Sequence, residues 1–253
     1  KEFVDVSLLP GSHGIAHSAS KCGQGAERVV YHCHEVDGPD LHAVGPRMMA
    51  KETKYVELMN DFSFHDTFCK VQAQAQLLAD LFNRRVQWRS QLLVSFLECV
   101  VFEVKDERWP DGVTRVLAEK ELEGRWMKWN NNTGQVRSHR LRPPRPTPTT
   151  LALGAIGEEG ASDEEEEGET EEENTLGGIQ PSDVPQCFSH FTHTVTLGTK
   201  LVCDLQGVWN PTDGFVLTDP VIHRVLPASM SRGRNGKTDK GRAGVRQVFE
   251  SHQ

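Results

Sequence analysis

Between Ser138 and Asp183 the sequence loses all hydrophobic periodicity, and this stretch limits how everything else can be arranged. It opens on the proline-rich run RLRPPRPTPTT and continues into residues 158–173, which hold eleven carboxylates and no basic side chain. A segment so charged and so poor in apolar groups cannot bury enough surface to offset the entropy of ordering it. A disordered insertion is therefore predicted over 138–183, and the fold must be built from residues 1–137 and 184–253 meeting in space. The insertion also distorts the charge balance. The 253 residues carry 28 basic and 36 acidic groups, a net charge of −8, but without the eleven the acids fall to 25 and the remainder is mildly basic. The tract is read as a solvated linker, with a dock for a basic partner as the competing role. No nucleic-acid partner is expected.

No run of eighteen apolar residues is present, so no membrane span is expected, and the start KEFVDVSLLP lacks the layout of a signal peptide. It also lacks an initiator Met, and the chain is read as an excised domain. Six cysteines (Cys22, Cys33, Cys69, Cys99, Cys187, Cys203) are scattered without C-x-x-C pairs. In a chain of this size that pattern favours reduced thiols and a cytoplasmic location.

Before the insertion the chain alternates strand and helix signals. KCGQGAERVVYHCHEVDG gives a glycine turn between two strands, with a later turn at Asp37-Gly38. A free G-x-G backbone of this kind can cradle phosphates. Lys51 follows Met48, Met49 and Ala50, and a lysine among apolar neighbours can act as a point charge on a phosphate. From His65 to Arg85 the residues Phe68, Val71, Ala75, Leu78 and Phe82 recur at helical spacing, with Asp66 near the start and Arg84-Arg85 at the end. Leu92–Val104 is apolar and β-branched enough for one or two buried strands, and TRVLAEKELEGRW returns as another. Three asparagines before Thr133-Gly134 predict a shaped loop.

After the insertion the stretch HFTHTVTLGTKLVCDLQGVWNPTDGFVLTDP places Asp204 and Asp219 on either side of a turn-rich segment, with Gln206 two residues beyond the first. Such oxygen donors suit Mg²⁺, which binds through one or two carboxylates plus substrate phosphates. LVCDLQGV reads as one buried strand ending at Gly207, which would put Asp204 and Gln206 on one face. The closing segment is basic and glycine-bearing and ends in a helical pattern on Val245, Val248 and Phe249.

Taken in order, these segments resemble the atypical alpha-kinases, a group that includes the myosin-heavy-chain kinases, the elongation-factor kinase and certain channel-fused kinases. The matching elements are QGAER at 24–28, MAK at 49–51, ADLFN at 79–83, AEKELEGRWMKWNNNTG at 118–134, FSH at 188–190, VCDLQGV at 202–208 and LTDP at 217–220. The resemblance implies an α+β, two-lobed protein-kinase-like fold of the alpha-kinase type. Residues 1–137 would form the N-terminal lobe and hinge, and 184–253 a C-terminal lobe truncated at its end. It implies an ATP-dependent serine/threonine protein kinase using Mg²⁺, with a catalytically weak scaffold docking a basic partner as the alternative. By the same likeness Gly25, Ala26 and Arg28 would cover the phosphates and Lys51 would hold them. Glu119 and its neighbours would line the adenine-contacting hinge, Gln206 and Asp219 would coordinate Mg²⁺, and Asp204 would orient or deprotonate the acceptor hydroxyl.

The family also holds a structural zinc on two histidines and two cysteines. His190 and His252 match the histidines, and the cysteines would follow Gln253, so zinc is expected only if the chain continues. Arg242 stands where the family's glycine-rich loop carries asparagine, which implies altered substrate specificity or reduced activity. Pro211–Gly214 is read as an extra turn. Thr147, Thr149 and Thr150 would be exposed acceptors for self-phosphorylation.

Overall fold

The protein is seen here as a computed structural model that describes residues 13–25, 27–86, 89–105, 107, 111–136, 183–225 and 235–251. Ala26, the insertion through residue 182 with its three threonines, and His252 lie outside the described residues. The first half runs β1 (His13–His17), β2 (Gly23–Gln24), β3 (Arg28–Asp37), β4 (His42–Thr53), α1 (Phe62–Val86), β5 (Val94–Phe96), β6 (Cys99–Lys105), β7 (Val113–Lys120) and β8 (Met127–Lys128). The second runs α2 (Val184–Val195), β9 (Lys200–Cys203), β10 (Gln206–Asn210), β11 (Gly214–Thr218), β12 (Val221–Arg224) and α3 (Gly241–Glu250).

The N-terminal lobe is a six-stranded antiparallel sheet in the order β1-β3-β4-β7-β6, with β2 paired to β3. The predicted turn at Asp37-Gly38 joins β3 to β4, and Gly38 takes the left-handed backbone (φ 69°) that a tight reversal needs. Cys33, Met48, Ala50, Val116 and Ala118 form this sheet's own core. The C-terminal lobe is a four-stranded sheet, β5-β11-β10-β8, beside a two-stranded β12-β9 ribbon. The apolar run Leu92–Val104 therefore divides. Its first half pairs in parallel with β11 and its second half pairs with β7, so the chain crosses between lobes at Leu97-Glu98.

Helix α1 spans both. It begins earlier than its periodicity predicts, because Asp61 rather than Asp66 caps it: Asp61 Oδ1 accepts from the Ser63 amide at 2.8 Å and the Phe64 amide at 3.3 Å. The Ser63 hydroxyl, which donates to the same oxygen at 2.7 Å, and then these amides hold the Asp61 carboxyl below the usual carboxylate range. Asp66 pairs instead with Lys70, one turn on. The predicted apolar face is buried at Val71, Ala75, Leu78 and Phe82, and packs with Phe96, Trp129, Phe188, Leu205 and Phe215 in the main core. Val71, Leu78 and Phe82 each contribute roughly 1.5–3 kcal/mol on burial. Phe68 is only half-buried and carries the Arg28 guanidinium 3.9 Å from its ring centre.

Two expectations are corrected here. LVCDLQGV is not one strand: β9 ends at Cys203, Asp204 adopts a left-handed backbone (φ 59°), and β10 starts at Gln206 in the other sheet. A left-handed residue breaks the extended run, and aspartate tolerates that region better than most side chains. The glycines of Asp239–Gly244 do not form an open loop either; Gly241 and Gly244 lie in the first turn of α3, with Arg242 exposed. Gly244 is required because a Cβ there would lie 2.4 Å from Cδ2 of the His223 ring. The predicted turn at Pro211–Gly214 links β10 to β11. No helix among the described residues is long and apolar enough to cross a membrane.

Gly207 gives a direct test of this packing. Its φ is 150°, and a Cβ would sit 2.2 Å from the Val216 carbonyl oxygen on β11. G207A is expected to destabilise the fold by about 1–3 kcal/mol, seen as a lower midpoint in urea.

Candidate active site

Lys51 lies near the end of β4, between Val30 of β3 and Leu117 of β7. Glu119 is two residues beyond Leu117, on the same face, so the lysine reaches it diagonally across the sheet. Lys51 is 5% exposed and Glu119 2%. Lys51 Nζ is ion-paired with the Glu119 carboxylate, donates to Thr218 Oγ1 at 3.0 Å, and contacts Asp219 Oδ2 at 2.8 Å. The Thr218 hydroxyl donates in turn to Glu119. One ammonium thus joins strands of both lobes.

Gln72 of α1 braces this junction. Its amide nitrogen donates to the Leu97 carbonyl at 2.7 Å and to Glu119 at 3.2 Å, while its oxygen accepts from the Asp219 amide at 3.1 Å. Asp219 follows β11 in a left-handed conformation (φ 50°), which turns its carboxylate back toward Lys51. Gln206 faces Thr218 across the β10–β11 pair, and its side chain reaches Asp204 at 3.5 Å. Asp204 is held by Lys128 of β8, Nζ to Oδ1 2.7 Å. Burial pushes the Asp204 carboxyl above the ordinary carboxylate range, and Lys128 acts in the opposite direction.

These groups close one end of a cleft of about 440 Å³, within the size range of small-ligand sites. Gly23, Gln24 and Gly25 form its edge, and Val30, Met49, Leu97, Leu122 and Trp126 give it apolar walls. Lys51, Gln206, Thr218 and Asp219 line the polar end. A planar apolar base fits the first part and an anionic tail the second. Across the site three carboxylates, Glu119, Asp219 and Asp204, stand against three ammonium groups, Lys51, Lys128 and Lys120. With all ionised, these charges balance. The Asp219 carboxylate and the Gln206 amide on the cleft wall are hard oxygen donors of the kind that suits Mg²⁺.

The sequence expectations meet this geometry unevenly. Gly25, Lys51, Gln206 and Asp219 are brought together on the cleft wall. Asp204 stands beside that wall and reaches it through Gln206. Arg28 is a correction: its guanidinium is buried against Phe64 and Phe68 and donates to the Lys51 carbonyl at 3.0 Å, away from the cleft lining. Its side chain supports the lysine strand instead. Glu119 lines the cleft with Lys120 and Leu122, and the Lys51 charge draws its carboxylate into the junction. His190 lies on α2 with its ring 5.1 Å from that of Phe249. Among the described residues no group of three or more His, Cys, Asp or Glu side chains is placed to hold a metal, and His252 lies outside them.

Gln72, Lys128 and Thr218 were given no role from the sequence, and Asn130 only a place in a shaped loop. For Gln72 a signal existed, an amide on the apolar face of an otherwise regular helix. Asn130, fully buried, is the first of the three asparagines. Its oxygen accepts from the Leu205 amide at 2.9 Å, and its nitrogen donates to Gln186 and Ser189 of α2. The residue after Asp204 is thereby fixed to α2. Leaving that buried amide without an acceptor costs about 1–3 kcal/mol, so N130A is expected to lower stability by that amount in a urea titration.

Fold and site together define a two-lobed domain of the protein-kinase type, with a charged junction at the polar end of an interlobe cleft. A profile of the alpha-kinase family matches residues 23–152 and 169–253, and the chain belongs to that family. It is similar to the human eukaryotic elongation factor 2 kinase, 24% identical over 240 residues that make up 93% of this chain and 25% of that protein. It is also similar to the alpha-protein kinase vwkA of Dictyostelium discoideum, 36% identical over 72 residues, 28% of this chain and 11% of that one. The chain thus spans a quarter or less of the length of these relatives. Among solved structures, the alpha-kinase domain of myosin-II heavy chain kinase A in complex with AMP-PNP superimposes with a TM-score of 0.64 at 20% identity, covering 95% of this chain and 83% of that one. An alpha kinase from Entamoeba histolytica does so with a TM-score of 0.60 at 19% identity, over 94% and 74%. At these identities the structural likeness is one of fold.

Proposed function

We propose that this domain is an ATP-dependent serine/threonine protein kinase, transferring the γ-phosphate of Mg-ATP to a protein hydroxyl. The observation that carries the proposal is the convergence of Lys51, Gln206 and Asp219 on the polar end of a cleft whose other walls are apolar. Phosphoryl transfer needs little covalent chemistry from a protein; positioning and neutralisation of charge dominate. The apolar walls hold the base. The backbone of Gly23–Gly25 lies over the phosphates, and Lys51, fixed by Glu119 and Thr218, meets their charge. Gln206 and Asp219 would hold Mg²⁺, which would supply further neutralisation of the transferred group when bound. Asp204, set beside the cleft by Lys128, accepts a hydrogen bond from the acceptor hydroxyl and orients it.

The test is transfer of labelled phosphate from Mg-ATP to a basic peptide and to the protein itself. Incorporation on serine or threonine is the expected result. ATP binding without transfer would overturn catalysis and leave a kinase-like scaffold.

A further inference from the structure

Cys69 of α1 and Cys99, the first residue of β6, bring their sulfurs within 3.5 Å of one another. Both are free thiols and both are half-buried, so a small oxidant can reach them. The other four cysteines divide into exposed Cys22 and Cys187 and buried Cys33 and Cys203. The pair occupies a particular place. Cys99 is the register partner of Glu119, and Cys69 precedes Gln72 by nearly one turn of the same helix. The hydrogen bond from Gln72 to Glu119 therefore runs alongside the two thiols.

We propose that Cys69 and Cys99 form an oxidation site for hydroperoxides, closing to a disulfide that clamps α1 to β6 beside the Lys51–Glu119 junction. Mutual hydrogen bonding pulls the Cys69 thiol below the ordinary thiol range and pushes Cys99 up, so Cys69 is the sulfur that ionises and reacts first. The Cys69 thiolate attacks one peroxide oxygen, the O–O bond breaks, and the departing hydroxide takes up the proton that Cys69 released, forming water. Cys69 is now a sulfenic acid. The Cys99 sulfur then attacks the Cys69 sulfur, the S–O bond breaks, and a second water leaves with the Cys99 proton. Two thiols are oxidised and one hydrogen peroxide is reduced to two waters.

Closure has a mechanical consequence. The sulfurs must approach from 3.5 Å to about 2.05 Å, a closure of about 1.5 Å shared between rotation of the two side chains and a shift of the helix against the strand. Gln72 moves with its helix and Glu119 with its strand, which alters the brace on Lys51 and Asp219. The effect on nucleotide binding rests on the function proposed above; disulfide formation does not.

The test treats the reduced chain with hydrogen peroxide, alkylates remaining thiols, and maps the cysteine peptides by mass spectrometry without reduction. The expected product joins the α1 and β6 peptides through Cys69 and Cys99, is reversed by dithiothreitol, and is absent from C69S and C99S. Oxidised protein is expected to bind ATP at least about fivefold more weakly than reduced protein, with C99S unaffected by peroxide. Separate alkylation of both thiols after treatment, or a crosslink through Cys22 or Cys187 instead, would overturn the site. A Cys69–Cys99 crosslink with unchanged ATP affinity would overturn the clamp. Absence of ATP binding in the reduced chain would count against the kinase function, with the peptide map still deciding the disulfide.

Discussion

K51M is expected to reduce phosphate transfer by about 10²–10³-fold, the usual cost of losing one preorganised charge-stabilising donor. The same substitution strands Glu119, which is 2% exposed, without its cation. Removing one partner of a buried pair typically costs about 3–5 kcal/mol, so a loss of activity alone could reflect unfolding. The double variant K51M/E119Q separates the two effects. It removes the orphaned charge while keeping a hydrogen-bonding side chain between Thr218 and Gln72. Its urea midpoint is expected to recover most of the way toward the parent, and its transfer is not. A folded K51M with transfer within about tenfold of the parent would show that the lysine charge is not used on the phosphates.

Asp204 should behave differently, because it stands beside the cleft rather than on its wall. D204N preserves shape and removes charge, and is expected to cost about 10²–10⁴-fold in transfer while leaving ATP affinity close to that of the parent. The pH dependence gives a second measurement. Burial raises the Asp204 carboxyl, so the acid limb of the rate profile is expected above the ordinary carboxylate range. Lys128 opposes that rise at 2.7 Å, and K128M is expected to move the limb to still higher pH. The stability linkage runs in the same direction. A carboxyl whose pKa is raised on folding favours the folded state most below its unfolded value, about 3.9, and loses that contribution as pH rises through the folded value. Thermal melts of D204N should lack that part of the pH slope. An acid limb unmoved by K128M would detach Asp204 from the rate profile.

The sequence located the polar end of the cleft because its residues sit in short, ordered motifs with recognisable chemistry. Lys51 stood out by its apolar neighbours, and Asp219 and Gln206 by an oxygen-rich turn. Helix α1 was legible from its 3.6-residue period, although its start was read at His65 rather than Phe62, since the capping Asp61 falls outside the apolar repeat. The split of LVCDLQGV was not legible. Alternation and β-propensity describe extended backbone, and neither registers one aspartate at φ 59° that sends the next strand into another sheet. Arg28 shows a related failure. The family resemblance assigned it to the phosphates, whereas pairing in β3 directs its side chain to the aromatic face of α1.

What the sequence determined by itself was the main helix and the identity of the charged groups, whereas β5 and β8, which precede the insertion, join the sheet of the C-terminal lobe. The helix and the charged groups follow from composition and local period, which are properties of neighbouring residues. Only the tertiary structure decided which charges meet. Lys51 and Asp219 are separated by 168 positions and the whole insertion, and they join because α1 and the crossover from β5 to β6 bring two sheets edge to edge over one buried junction. The same packing set Gln72, Asn130 and the Cys69–Cys99 pair beside that junction. Their roles depend on contacts between elements, which no local pattern of residues encodes.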